Sequence, residues 1–297
     1  MLSSVSELKS FFNAISLNFK IAHDDEAWEY TEEPHTSRRK EILTKHPEIQ
    51  ELMGSDSTIA YVVCAEVLIQ IAMTALVSYY QPNFVLLLLL TYVISASLNH
   101  SLGSAIHEIG HNLAFGHSYP KSNRVLSLIC NLPIVIPMAI SYKKYHHEHH
   151  RWLGHEDNDV DIPMRIEARL FKSPLLRILW LFLHPIIHAI RPFLKSPRPL
   201  TNWEVINFIT QLGFDLLIIK FTNIYGIFYL LGGTLLGLGP HPMAGHFISE
   251  HYLFSDNQAT HSYYGSLNPI LFNVLWDFIW MKNLGPQGRS LIYDKKE

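Results

Sequence analysis

FVLLLLLTYVISASLNHSLGSAI, residues Phe84–Ile106, runs without a single charge into His107-Glu-Ile-Gly-His111. A helix over this stretch is near the length needed to cross a bilayer core of about 30 Å. Before it lies Ile59–Tyr80, a 22-residue stretch interrupted only by Glu66 and Gln70. A second apolar pair follows much later, Glu204–Ile219 and Ile224–Gly239, split by Lys220 and Asn223. With 48% apolar residues and a positive mean hydropathy, the composition agrees with the local pattern. These segments predict an all-α integral membrane protein with two transmembrane hairpins. Leu175–Leu194 is also apolar but carries Arg177, His184, His188, Arg191 and two prolines, so it is expected to lie at the membrane interface.

Positive charge orients the spans. Of 23 Lys and Arg, six precede Ile59, twelve fall between His107 and Asn202, four follow Trp280, and only Lys220 occupies a hairpin tip. The bias places both termini and the long central loop on the cytosolic side. Net charge of −3 carries no information, and no basic run points to nucleic acid. Cys64 and Cys130 offer neither a disulfide framework nor metal-type spacing. The N-terminus has no secretory signal; Leu2, Val5, Leu8, Phe11 and Ile15 recur at helical spacing, as expected of an interfacial amphipathic helix over residues 2–21. Three regions are expected: a cytosolic segment 1–58, a membrane domain 59–274 and a C-terminal tail 275–297.

Nine of the 18 histidines fall between His100 and His155, which argues for a site rather than a scatter of surface residues. His107 and His111 stand at i, i+4; 35 residues later come His146, His149 and His150 at i, i+3, i+4. On a helix each set lies along one face, with His147 pointing elsewhere. Five converging imidazoles exceed the usual ligand set of one zinc ion and suit a pair of borderline metals, iron as well as zinc. After the last span, either His241 or His246 can complete the shell; His246 is one helical turn from Glu250, and His251 lies off their common face. The metal ligands expected are therefore His107, His111, His146, His149, His150 and His246.

His107-Glu-Ile-Gly-His111 also reads as H-E-x-x-H, the zinc-protease signature, with Glu108 as base and His117 at a third-ligand position. That reading leaves the second cluster unexplained. A nitrogen-ligated iron pair at a membrane face suits O2-dependent removal of hydrogen from unactivated C–H bonds of a lipid entering from the bilayer. No G-x-G-x-x-G occurs, so electrons must come from a partner. Glu108, Glu148 and Glu250 are candidate partners that orient imidazoles, or ordinary surface carboxylates. Asp157, Asp159 and Asp161 either bind headgroup hydroxyls or cap a loop.

The chain closely resembles the sphingolipid Δ4-desaturase (dihydroceramide desaturase) family. The likeness runs through Trp28-Glu-Tyr-Thr-Glu-Glu-Pro-His35, Asn99-His100, the two histidine boxes, Asn131-Leu-Pro-Ile-Val-Ile-Pro137 and Asp159-Val-Asp-Ile-Pro163. It continues through Gly245-His-Phe-Ile-Ser-Glu-His-Tyr252 and Ser262-Tyr-Tyr-Gly265 to Phe272-Asn-Val274. The resemblance implies two irons and O2-dependent introduction of a 4,5 double bond into dihydroceramide, giving ceramide, with C4 hydroxylation in some members. It implies an endoplasmic reticulum membrane location and electrons from cytochrome b5 and its NADH-dependent reductase. His107 and His111 match the family's first box, and His146, His149 and His150 its second. The third box, an Asn-x-His-His-Asp-Phe-Pro segment after Phe-Asn-Val, does not occur: Val274 passes directly to Leu275-Trp-Asp-Phe-Ile279. Fewer ligands would leave one iron under-coordinated. Three outcomes stand open: an active desaturase, a non-catalytic or truncated isoform acting as a membrane protein, and a membrane zinc metalloprotease.

Overall fold

The computed structural model describes residues 35–152, 158–251, 275–276 and 278–280. The expected N-terminal amphipathic helix, the Trp28 motif up to Pro34, the segment 252–274 and most of the tail lie outside them. Among the described residues every regular element is helical. α1 is His35–Lys45, α2 Thr58–Tyr80, and α3 Phe84–Gly110, which carries one π turn at Thr91–Ser95. α4 (Pro120–Asn131), α5 (Ala139–Arg151), α6 (Arg165–Leu170), α7 (Pro174–Lys195), α8 (Asn202–Phe221), α9 (Ile224–Gly237) and α10 (Gly245–His251) follow.

Helix ends are written locally. Asn83 caps α3 by accepting from Leu86 N at 3.0 Å. Thr201 and Glu204 form a reciprocal capping box at α8, and Pro174 sits in the first turn of α7 behind the Ser173 cap. Among the described residues three helices are long and apolar enough to cross a membrane: α2, α3 and α7, or four spans if the bent pair α4–α5 counts as one. Their outer faces are apolar: Leu68, Phe84 and Val85 are each 66% exposed, as lipid-facing positions require. Two sequence expectations shift here. Pro174–Lys195, expected to be interfacial, is a 22-residue helix of spanning length despite its internal Pro185 and Pro192. In the expected second hairpin, α9 holds only 14 residues, about 21 Å at 1.5 Å each, short of a ~30 Å core.

The interior pairs apolar core clusters with a buried polar seam. Gln70 Nε2 on α2 donates to Asn99 Oδ1 on α3 at 2.6 Å. Asn99 Nδ2 in turn donates to Thr234 Oγ1 on α9 at 2.9 Å and to the carbonyls of Leu230 and Pro133. With lipid outside and no hydrophobic drive between helices, such bonds and close backbone contacts hold the bundle. α9 supplies the contact: a Cβ on Gly233 would sit 2.0 Å from Ser95 Oγ, and one on Gly237 2.4 Å from the Ala96 carbonyl oxygen. Both neighbours belong to the π turn of α3 or to the residue just after it.

A bend of 112° separates α4 from α5 and returns α5 across the end of α3. Asn131 builds it. Its Oδ1 accepts from Met138 N and Ala139 N, opening α5, while its Nδ2 donates to Ile136 O and to Gln211 Oε1 on α8. Val135 is held at φ 69°, a left-handed conformation rare for a β-branched residue. This corner decides where the second histidine cluster lands.

Candidate metal centre

The last turn of α3 carries His107, with His111 as its C-terminal cap; the last two turns of α5 carry His146 and His150. Their rings meet. His146 Nε2 lies 3.1 Å from His111 Nε2, 3.2 Å from His107 Nε2 and 2.9 Å from His150 Nε2. All four can present a nitrogen within 4.8 Å of the others. Neutral imidazoles in contact through the same nitrogen cannot all donate, so lone pairs converge on one point, as a cation requires. Burial, then the neighbouring His146 and His150, pushes the His111 pKa down to about 4. The ring is therefore neutral near pH 7, with its lone pair available. Tyr142, one turn before His146, sets its oxygen 3.3 Å from His107 Nδ1 and 3.2 Å from His146 Nδ1, fixing the outer side of both rings. An all-imidazole set of this kind fits iron.

His149 belongs to an adjoining group. Its Nδ1 is 2.7 Å from Asp159 Oδ1, and His149, Asp159 and Asp161 form a second cluster within 4.8 Å, all buried. The rings of His146 and His149 are 5.5 Å apart, so the two groups share a border. His246 on α10 is not drawn into the four-histidine group; its Nδ1 lies 3.1 Å from His100 Nε2 and 2.9 Å from the Met243 carbonyl. His100 in turn donates from Nδ1 to the Gly237 carbonyl at 2.9 Å. His241 instead caps the turn Pro242–Ala244. His147 is exposed and donates from Nε2 to the Gly110 carbonyl at 3.2 Å. Of the candidate orienting carboxylates, Glu108 is exposed and Glu148 pairs with Arg198 at 3.0 Å. The side chains of Glu250 and His251, and Asp157, lie outside the described residues.

Residues 23–58 match the family model described as sphingolipid Delta4-desaturase, and residues 82–281 match that described as fatty acid desaturase. A sphingolipid delta(4)-desaturase of Drosophila melanogaster is 50% identical over 255 residues, covering 86% of this chain and 79% of the relative. A putative sphingolipid delta(4)-desaturase/C4-monooxygenase of Caenorhabditis elegans is 44% identical over 86% of this chain and 70% of its own length. A mouse sphingolipid delta(4)-desaturase/C4-monooxygenase is 46% identical over 85% of this chain and 78% of its own length. The chain belongs to the sphingolipid Δ4-desaturase family. No solved structure matches.

Family membership and geometry lend no support to the competing readings of the first box. The matched relatives carry desaturase names, which supports neither a zinc metalloprotease nor a non-catalytic isoform. A protease would need Glu108 beside the metal and His117 as third ligand. In this desaturase Glu108 and His117 are exposed, and His107 and His111 take His146 and His150 as neighbours instead.

Sequence reasoning passed over Tyr142 and His100 and left the role of Asp159 and Asp161 open. Tyr142 was legible, being four residues before His146 and so on the same helical face. His100 sat next to Asn99 in a quoted motif but in no ligand spacing. Asp159 and Asp161 were read as headgroup binders or loop caps; the buried Asp159 carboxylate does cap the loop, accepting from the Asp161 backbone N–H, and it meets His149 as well.

Proposed function

We propose that this chain is a sphingolipid Δ4-desaturase that introduces a 4,5 double bond into dihydroceramide, giving ceramide, at an iron centre built on the four-histidine group. The observation that carries the reading is the meeting of four Nε2 atoms around His146 at the end of the apolar bundle. Iron bound there would supply O2-dependent C–H oxidation. The overall reaction balances as dihydroceramide plus O2, two electrons and two protons giving ceramide and two waters. Two of the four electrons come from the C–H bonds broken at C4 and C5; the other two need a donor, for which cytochrome b5 and its NADH-dependent reductase are the family's source. C4 hydroxylation, printed in the names of two relatives, is the natural second outcome at the same carbon.

The chain's own residues have definite tasks. His107, His111, His146 and His150 present ring nitrogens to one point, and Tyr142 holds two of these rings by their outer nitrogens. His149, and His246 with its partner His100, border this group and are the candidates for the second iron. The apolar outer faces of α2 and α3 keep the substrate's chains in lipid and lead them toward the histidine end. The location proposed is the endoplasmic reticulum membrane, with the histidine clusters on the cytosolic side, where the positive charge of the central loop lies.

Lipid mass spectrometry of cells that lack dihydroceramide desaturase and express this chain tests the proposal. Δ4-unsaturated ceramide is the expected product, and its formation would show that the centre works without an Asn-x-His-His segment after Val274. Persistent dihydroceramide, with the protein present in the membrane, overturns the activity.

A further inference from the structure

The loop that follows α5 returns to touch the second histidine cluster. Asp159 is fully buried, and its Oδ1 accepts both from His149 Nδ1 at 2.7 Å and from the Asp161 backbone N–H at 2.9 Å. The 2.7 Å separation is that of a charge-assisted hydrogen bond. At 2.7 Å the ring nitrogen and the carboxylate oxygen are at direct hydrogen-bond distance, with a proton between them.

The segment bearing Asp159 is itself clamped. Lys195 Nζ donates to the Asp159 carbonyl at 2.5 Å. Arg191 Nη1 donates to the carbonyls of Val160 and Asp161 at 3.2 and 3.0 Å. The rest of that guanidinium grips Glu167 bidentately, Nε to Oε1 at 3.0 Å and Nη2 to Oε2 at 2.9 Å. Glu167 Oε2 also accepts from Trp180 Nε1 at 2.9 Å. Asp159, Glu167, Trp180 and Arg191 are each at most 3% exposed. So many satisfied charges spent on one short backbone segment fix the position of one carboxylate.

We propose that Asp159 is a positioning residue that locks His149 in the Nδ1–H tautomer, leaving Nε2 as the ring's metal-binding nitrogen, with the Arg191–Glu167 pair acting through the Val160 and Asp161 carbonyls to hold Asp159 in place. The proposal rests on the iron-centre reading above and deepens it. An ionised carboxylate can only accept, so the facing nitrogen must carry the proton; neutral imidazole then has its lone pair on the other nitrogen. The negative charge also makes that nitrogen a better donor to a cation.

Two measurements decide it. In the metal-free full chain, 15N spectra of labelled histidine, with His149 identified by difference from His149→Gln, report the tautomer directly. The expected state is Nδ1–H in the parent and a mixture of tautomers in Asp159→Ala. Chelator competition on the detergent-purified protein then reports iron affinity, expected to fall about 10–100-fold in Asp159→Ala. Asp159→Asn, whose amide oxygen can still accept both bonds, should keep the tautomer and lose only part of that affinity. An Nε2–H tautomer in the parent overturns the proposal, and this arm needs no variant at Asp159 to fold. So does an Asp159→Ala protein that melts lower but keeps both tautomer and affinity, the signature of a purely structural contact. Loss of one iron equivalent that saturating iron cannot restore would make Asp159 a ligand and also overturn it. A parent chain that takes up no iron sinks the iron-centre reading, while the tautomer still decides the role of Asp159.

Discussion

Adding one methyl group at Gly237 tests the seam on which the bundle depends. A Cβ there would lie 2.4 Å from the Ala96 carbonyl oxygen, 3.1 Å from its carbon and 3.2 Å from its Cα. All three atoms are backbone, so no side chain can turn aside. Ordinary contact needs about 3.5 Å, and α9 must back away from α3 by about 1 Å. Overpacking of this kind costs about 1–3 kcal/mol. Ala is favoured over Gly in a helix interior by up to about 1 kcal/mol, less at the final residue of α9, so the clash wins. Gly213 on α8 is the matched control, because nothing lies within 4 Å of its Cβ position. Gly213→Ala should stabilise by about 0.5–1 kcal/mol through propensity alone. The two identical substitutions should thus differ by about 2–3 kcal/mol, roughly 4–12 °C at about 2–4 °C per kcal/mol. Thermal unfolding of both purified variants in detergent, followed by tryptophan fluorescence, reads this directly. If they melt together, α9 does not bear on Ala96 as described and the close-packed seam is wrong. Because the Gly237 carbonyl receives His100 Nδ1–H, the same shift should also loosen the His100–His246 contact.

His146→Ala removes the nitrogen that touches three others and should abolish tight iron binding, whereas His147→Ala should leave iron content unchanged, both read by metal analysis of purified protein. Arg191→Met strands the Glu167 carboxylate without its cation, at a cost of about 3–5 kcal/mol, and adding Glu167→Gln should recover part of the lost melting temperature. Metal-free protein should lose stability as the pH falls from about 6.5 to about 4. Burial holds the folded His111 pKa near 4, so between those values the unfolded chain binds the extra proton and the folded chain does not. Above pH 6.5 this contribution is complete. Melting curves across that range should slope, and His111→Gln should flatten the slope.

The sequence made the first hairpin legible because α2 and α3 run for more than 20 residues with almost no charge, a pattern lipid tolerates at that length. Pro174–Lys195 reads as interfacial because charged and histidine side chains interrupt an apolar stretch, yet the helix has the length and apolar content of a span. Arg177, His184 and Arg191 instead turn inward, where Arg191 finds Glu167 and His184 the Leu238 carbonyl. Hydropathy counts residues and does not know which face has a partner. The corner at Asn131 was equally hidden: nothing local says that one asparagine side chain will open α5 and reach Gln211.

The histidine boxes show where spacing stops being informative. His146, His149 and His150 share a face in the loose sense that i, i+3 and i+4 lie within one side of a helix. Successive residues are nevertheless about 100° apart, so His149 and His150 diverge from each other while both remain near His146. The structure uses that divergence. His150 turns toward His107 and His111 on α3, and His149 turns toward Asp159 on the returning loop. His146, between them, borders both groups. One helix end thus serves two clusters, and its partners come from segments 35 residues before and 10 residues after it. The first partner could be found by its own i, i+4 spacing. The second is an aspartate with no periodicity at all, identifiable only once the Arg191–Glu167 clamp shows how firmly its backbone is held against His149.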